Sequence, residues 1–169
     1  ATWSRDGQRI AFVVTAPDTT ENTTNQDVWL WDAATNSARA LTRHAKNDYA
    51  PQFSPSGDTL AFLSVRDSEE GKPSLWMLPL NGGEPWKLTT FAESVGEFRW
   101  SPDGRSIAFT SSYADAAPRG NAAPARPQVW VVSSSGGSAR RVSNAPNGVT
   151  NCQWAPDGAR FACLTRTGP

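Results

Sequence analysis

The sequence has one histidine, two cysteines and one methionine in 169 residues, and no surplus of charge of either sign. With His44 as the only imidazole, any Ser-His-Asp arrangement would need that one residue as its base. Two cysteines make neither a disulfide framework nor a four-ligand zinc site. The 16 basic side chains are balanced by 16 acidic ones, which leaves no electrostatic footprint for nucleic acid. No run approaches the roughly 18 apolar residues that a membrane-spanning helix requires. No segment keeps a helical hydrophobic period for as many as about ten residues, so an all-α or α/β reading fails.

What the chain does have is eight tryptophans, 13 glycines and 13 prolines, and their positions repeat. The phrase Trp100-Ser101-Pro102-Asp103-Gly104-Arg105-Ser106-Ile107-Ala108-Phe109 recurs from Trp3 to Phe12, from Phe53 to Phe62 and from Trp154 to Cys163. A second phrase follows the first three copies, as Asp27-Val28-Trp29-Leu30, Ser74-Leu75-Trp76-Met77 and Gln128-Val129-Trp130-Val131. From the second phrase to the next copy of the first the step is always 24 residues, whereas from the first to the second it is 26, 23 and 30. All length variation therefore falls in one loop per repeat: Ala16 to Gln26, Arg66 to Pro73 and Ser111 to Pro127.

Each unit contains four short apolar runs separated by turn signals, the pattern of strands. In the third unit they are Gly96 to Trp100, Ser106 to Ser111, Gln128 to Ser133 and Arg140 to Val142. Pro102-Asp103-Gly104 joins the first two: proline presets the turn, aspartate tolerates its second position, and glycine takes the positive φ that closes a bulged hairpin. Neighbouring residues in Ile10-Ala11-Phe12-Val13-Val14 and Val129-Trp130-Val131-Val132 are all apolar, so both faces of these strands are covered. An all-β array of four-stranded antiparallel meanders with a period near 50 is the signature of β-propeller blades. Residues 1–43, 44–90 and 91–144 are expected to form blades, and 145–169 the first two strands of a fourth. About three and a half blades suggest part of a ring, a piece of a longer polypeptide or one that closes against a second chain, because repeat arrays bury their faces against neighbours.

These residues resemble the repeats shared by the Tol-system periplasmic propeller protein and the prolyl oligopeptidase family of serine peptidases. Within the latter, Trp3 to Phe109 is most similar to the N-terminal blades of the acylaminoacyl-peptidase branch, through Ala11-Phe12-Val13-Val14-Thr15, the acidic, Asn-rich Asp18 to Asp27 loop, Val28-Trp29-Leu30-Trp31, Leu41-Thr42-Arg43 and Gly71-Lys72-Pro73-Ser74-Leu75-Trp76 leading to Leu80-Asn81-Gly82-Gly83-Glu84. The resemblance implies a seven-bladed propeller, of which these three and a half blades would be about half, gating short peptide substrates toward a catalytic α/β-hydrolase domain. Its partners would be that domain and the rest of the ring, with no cofactor and no nucleic acid. The chain departs from the family in lacking a Gly-x-Ser-x-Gly nucleophile elbow; Ser135-Gly136-Gly137-Ser138-Ala139 reads as a hairpin turn. No catalytic residue is therefore assigned to it. The resemblance to the Tol protein implies the alternative, a non-catalytic propeller that binds protein partners. The cytoplasm is the favoured compartment, with the periplasm belonging to the alternative.

Inner strands of a propeller line its central passage, and the residues just before the aromatic there are Thr2, Gln52, Arg99 and Gln153. Gln52, Glu97, Arg99 and Gln153 are the substrate-channel candidates; simple exposure at a sheet edge explains them equally, and Glu97 and Arg99 could pair with each other. His44, in the polar link Arg43 to Tyr49, reads as a solvated loop residue or as a contact at the ring face. The aspartates of the Pro-Asp-Gly turns read as turn formers, since no Asp-x-Asp-x-Asp spacing of a calcium loop accompanies them. Cys152 and Cys163 stand where the third unit has Phe98 and Phe109, so packing is the favoured account. They face each other only if the turn is centred between Asp157 and Gly158, in which case a disulfide, and with it an exported protein, is the other account.

Overall fold

A computed structural model describes residues 1–18, 22–90, 93–112 and 126–165. The described residues contain fourteen strands: β1 (Thr2–Trp3), β2 (Arg9–Asp18), β3 (Thr23–Asp32), β4 (Ser37–Ala40), β5 (Asp48–Phe53), β6 (Thr59–Ser64), β7 (Ser74–Pro79), β8 (Trp86–Lys87), β9 (Val95–Trp100), β10 (Ser106–Ser111), β11 (Gln128–Ser133), β12 (Arg140–Arg141), β13 (Val149–Trp154) and β14 (Phe161–Thr165). They form three four-stranded sheets, each in chain order, and the pair β13–β14, with every pairing antiparallel. The fold is all-β, and no helix among the described residues is long and apolar enough to cross a membrane.

The hairpin turns show why the first phrase recurs. Buried Ser4, Ser54 and Ser101 each accept a backbone N–H from the residue five further on, Arg9 at 2.9 Å, Thr59 at 3.2 Å and Ser106 at 2.9 Å. The same hydroxyls donate to Asp6 Oδ1 at 2.6 Å, Asp58 Oδ1 at 3.1 Å and Asp103 Oδ1 at 2.6 Å. The glycine that follows sits at φ 69° to 76° in the four turns, where a Cβ would be strained. A serine hydroxyl is the leading cause that holds the carboxyls of Asp6, Asp58 and Asp103 below the ordinary 3.8, supplied by Ser4, Ser56 and Ser101 respectively. In the fourth turn Ala155 replaces the serine. There the backbone N–H of Ala159 is the leading cause that lowers Asp157.

The described residues divide into two compact units, residues 1–88 and 89–169. In the first, β5 packs against β2 and β3. Its core joins Ala11, Val28 and Leu30 to Phe53, Leu60, Phe62, Trp76 and Leu78. Arg9 bridges the two sheets, with its guanidinium 5.6 Å from the Phe53 ring centroid and Nη2 donating to Gly57 O at 2.7 Å. In the second unit β13 packs against β9 and β11. Ala108, Val129, Val131 and Val149 form its buried centre, with Trp154 and Phe161 only partly covered.

Two expectations need correction. The segment Ala16 to Gln26 reads as a loop, yet β2 and β3 stay paired through Thr15↔Gln26, Ala16↔Asn25, Pro17↔Thr24 and Asp18↔Thr23. The β-branched threonines fit a pleated ladder, and the hairpin pairing carries the polar arm past the apolar part. The favoured account of packed thiols also fails, because Cys152 and Cys163 are joined by a disulfide. The pairs Gln153↔Ala162 and Trp154↔Phe161 centre the turn between Asp157 and Gly158, the register that brings the two sulfurs to one face. Of the third variable loop, Ser111 to Pro127, residues 113–125 lie outside the described residues.

Candidate functional site

The register gives the candidate positions a common environment. Thr2 pairs with Ala11, Gln52 with Ala61, Arg99 with Ala108 and Gln153 with Ala162. Directly opposed residues of an antiparallel pair share a face, so each polar side chain stands beside a methyl group. Two residues earlier the ladder is interrupted: the register shifts between Tyr49 and Gln52 in β5, between Phe109 and Ser111 opposite β9, and between Thr150 and Gln153 in β13. Such bulges re-aim side chains at sheet edges. Ala50 and Asn151 take φ of 52° and 51° there, a left-handed conformation unusual for a residue other than glycine. In β9 the closest approach falls on Gly96, where an added Cβ would come within 2.5 Å of Thr110 Oγ1. The bulge residues Ala50, Glu97 and Asn151 are all exposed.

Within the second unit Glu97 and Arg99 line one gap of about 10 Å³ together with Phe98, Ala108, Thr110 and Cys152, room for about one water molecule. Arg99 is anchored rather than free: its Nη1 donates to Phe98 O at 2.7 Å, and its own carbonyl accepts Trp154 Nε1 at 3.1 Å. Gln153 is exposed on β13. Gln52 is half-buried on β5, in the first unit.

His44 is tied into the link after β4. Its Nδ1 accepts the Lys46 N–H at 3.0 Å and its carbonyl accepts Asn25 Nδ2 at 2.8 Å. The turn aspartates spend their oxygens on serine hydroxyls and backbone N–H groups. Among the described residues no three His, Cys, Asp or Glu side chains gather as a metal site.

Two polar arrangements were not foreseen from the residues. Asp48, fully buried, pairs through Oδ2 with Arg66 Nη2, and Arg66 Nε donates to Ser64 Oγ at 3.0 Å. The guanidinium lies 4.6 Å from the Trp76 ring centroid and 5.5 Å from that of Phe62, a geometry that suits cation–π attraction. The second is a clamp between third and fourth strands. Thr42 Oγ1 accepts the Val28 N–H at 2.9 Å and donates to Asp27 Oδ1 at 3.2 Å. Ser143 Oγ does the same with Val129 N–H and Gln128 Oε1, both at 2.8 Å. The recurrence of Leu41-Thr42 as Val142-Ser143 was the available signal.

The TolB beta propeller domain family matches residues 1–168. The uncharacterized peptidase YuxL of Bacillus subtilis is 33% identical over 110 residues, which are 65% of this chain and 16% of the relative. Among solved structures, TolB from Acinetobacter baumannii superposes with a TM-score of 0.67 and 25% identity, covering 97% of this chain and 36% of the other. An acylaminoacyl peptidase from Pyrococcus horikoshii superposes with a TM-score of 0.66 at 16% identity, covering 89% of this chain and 25% of the other, a likeness of fold. The chain thus spans about a sixth of the length of that curated relative and about a third or less of these two solved chains.

Proposed function

Because the chain belongs to the TolB beta propeller domain family, we propose that it is the propeller portion of a serine peptidase resembling the acylaminoacyl and prolyl oligopeptidases. In this reading the propeller admits short peptides to an α/β-hydrolase domain carried outside these residues. The observation that carries it is the 33% identity to a Bacillus peptidase of which the matched region is only 16%. Residues 1–43, 44–90 and 91–144 are then successive blades and 145–169 opens a fourth. Gln52 in the first unit, and Glu97, Arg99 and Gln153 in the second, are on this reading the inner-strand candidates for facing water. Side chains of this kind keep a passage hydrated, and the opposite charges of Glu97 and Arg99 suit the ammonium and carboxylate ends of a short peptide. The propeller filters by size, and bond cleavage, an acyl transfer to serine, occurs elsewhere.

Treating the intact parent protein with a fluorophosphonate tests this reading. One covalent adduct on a serine outside residues 1–169 is expected, and an unlabelled parent overturns it. A second reading, a non-catalytic propeller that binds protein partners, draws support from the 25% identity to TolB over 97% of the chain. It gains the ground that a failed labelling experiment would clear.

A further inference from the structure

Two inner strands place a residue other than glycine in the left-handed region, Ala50 at φ 52° in β5 and Asn151 at φ 51° in β13. The two residues are not equally suited to it. Asparagine visits the region because its short polar side chain bonds locally, whereas the Cβ of alanine crowds the following carbonyl with nothing in return. Such a conformation persists where the surrounding structure over-determines it, so β5 needs a restraint that β13 can do without.

The neighbouring residues supply one. Two positions before Asn151, β13 carries Val149, and β9 carries Val95 at the same place in the repeat, but β5 carries Asp48. Asp48 is fully buried, and its Oδ1 has no hydrogen-bond partner among the described residues. The charge is compensated by Arg66, whose Nη2 donates to Asp48 Oδ2. Arg66 is itself held: Nε donates to Ser64 Oγ at 3.0 Å, its backbone N–H donates to the same oxygen at 3.2 Å, and its guanidinium lies against the Trp76 and Phe62 rings. Ser64 pairs with Asp48 across the ladder, and Val65 N–H donates to Asn47 O at 3.2 Å just beyond it. The pair thus ties the start of β5 to the end of β6, immediately ahead of the break between Tyr49 and Gln52. On the far side of the break Phe53 is buried in the core shared with β2 and β3. All these groups lie inside the first unit.

We propose that Asp48 and Arg66 are positioning residues, a buried clamp that fixes the start of β5, holds Ala50 in its left-handed conformation and so sets where Gln52 is presented. On the reading proposed above, on which this last step rests, Gln52 is an inner-strand residue facing water. The clamp then shapes the passage through the strand, without touching a peptide.

Hydrogen exchange of the intact parent protein, measured by mass spectrometry on peptides spanning β5 and β6, tests the clamp. Asp48→Val/Arg66→Met removes both charges together and gives β5 the valine of the other inner strands. It is expected to speed exchange in β5 about tenfold, the scale of the left-handed penalty, while β6 stays within about twofold. Adding Ala50→Asn, the residue that β13 uses, should return β5 to within about twofold of the parent protein. Unchanged exchange in β5 overturns the proposal, and so does a rise that Ala50→Asn leaves in place. Should the double variant fail to fold, Arg66→Lys keeps a cation beside Asp48 but loses the Nε bond to Ser64; exchange in β5 no faster than in the parent overturns the proposal there too. Fluorophosphonate labelling decides the peptidase reading and exchange decides the clamp, so either can fail alone.

Discussion

The hairpins β5–β6 and β13–β14 occupy the same place in the repeat, and they are held by different means. Both close on a Gly turn with φ near 70° and carry an inner-strand bulge at a non-glycine residue, Ala50 or Asn151. Beyond that they part. In the first, β7 pairs with the outer edge of β6, Leu60 and Phe62 are fully buried, and Ser54 clamps the turn. In the second, apolar cover is partial and a disulfide closes a loop with a sequence separation of 11. Closing a ring of that size constrains the unfolded chain by roughly 3 kcal/mol in the chain-entropy model, comparable to burying one large aromatic side chain. Local turn chemistry therefore shapes both hairpins alike, and the second adds a covalent cross-strand bond that the first lacks.

The largest effect should come from the side that relies on burial. Phe62→Ala is expected to lower stability by about 3–5 kcal/mol, read from the urea midpoint followed by tryptophan fluorescence. A loss below about 1 kcal/mol would mean that β5–β6 does not depend on its core. A smaller change makes one junction resemble the other. Trp154→Phe puts at the second unit's inner strand the ring found at Phe53 and deletes the bond to Arg99 O. It should cost about 1 kcal/mol, and an unchanged midpoint would show that the indole N–H contributes nothing.

The smallest effect separates the turns by pH. The carboxyls of Asp6 and Asp103 are held below 3.8, mainly by Ser4 and Ser101. A folded-state value below the unfolded one stabilises above the unfolded pKa, and that stabilisation is lost as pH falls through the folded value. Asp103→Asn should therefore be less stable than the parent sequence at pH 5, with the difference shrinking as the pH approaches 2. A difference that stays constant over that range would remove the ionised carboxylate from the account of the turn.

Much of this was legible in the residues. The hairpin turns were, because Pro-Asp-Gly acts through its own dihedrals, and β10 and β11 run over the residues that their apolar pattern marks. The polar arm of β2 and β3 was not, since Thr and Asn signal loops as readily as ladders that lack a core. Ala50 in the left-handed region has no local signature at all, whereas Asn151 belongs to a residue type that visits it. The disulfide depended on a one-residue choice of turn centre. The Asp48–Arg66 pair joins residues 18 apart in the chain, and only the pairing of Asp48 with Ser64 brings them together. Gln52, Glu97, Arg99 and Gln153 were picked from the sequence for their place in the repeat. Gln52, Arg99 and Gln153 each face an alanine of the Ile-Ala-Phe-like phrase across the strand, and that alanine draws no notice until the register is known.

That alanine has a consequence for engineering. A methyl group opposite Thr2, Gln52, Arg99 and Gln153 carries no charge, so the cross-strand partner does not itself dictate the charge borne at these four positions. Variation of charge at the exposed Gln153 therefore meets no opposing group across the strand.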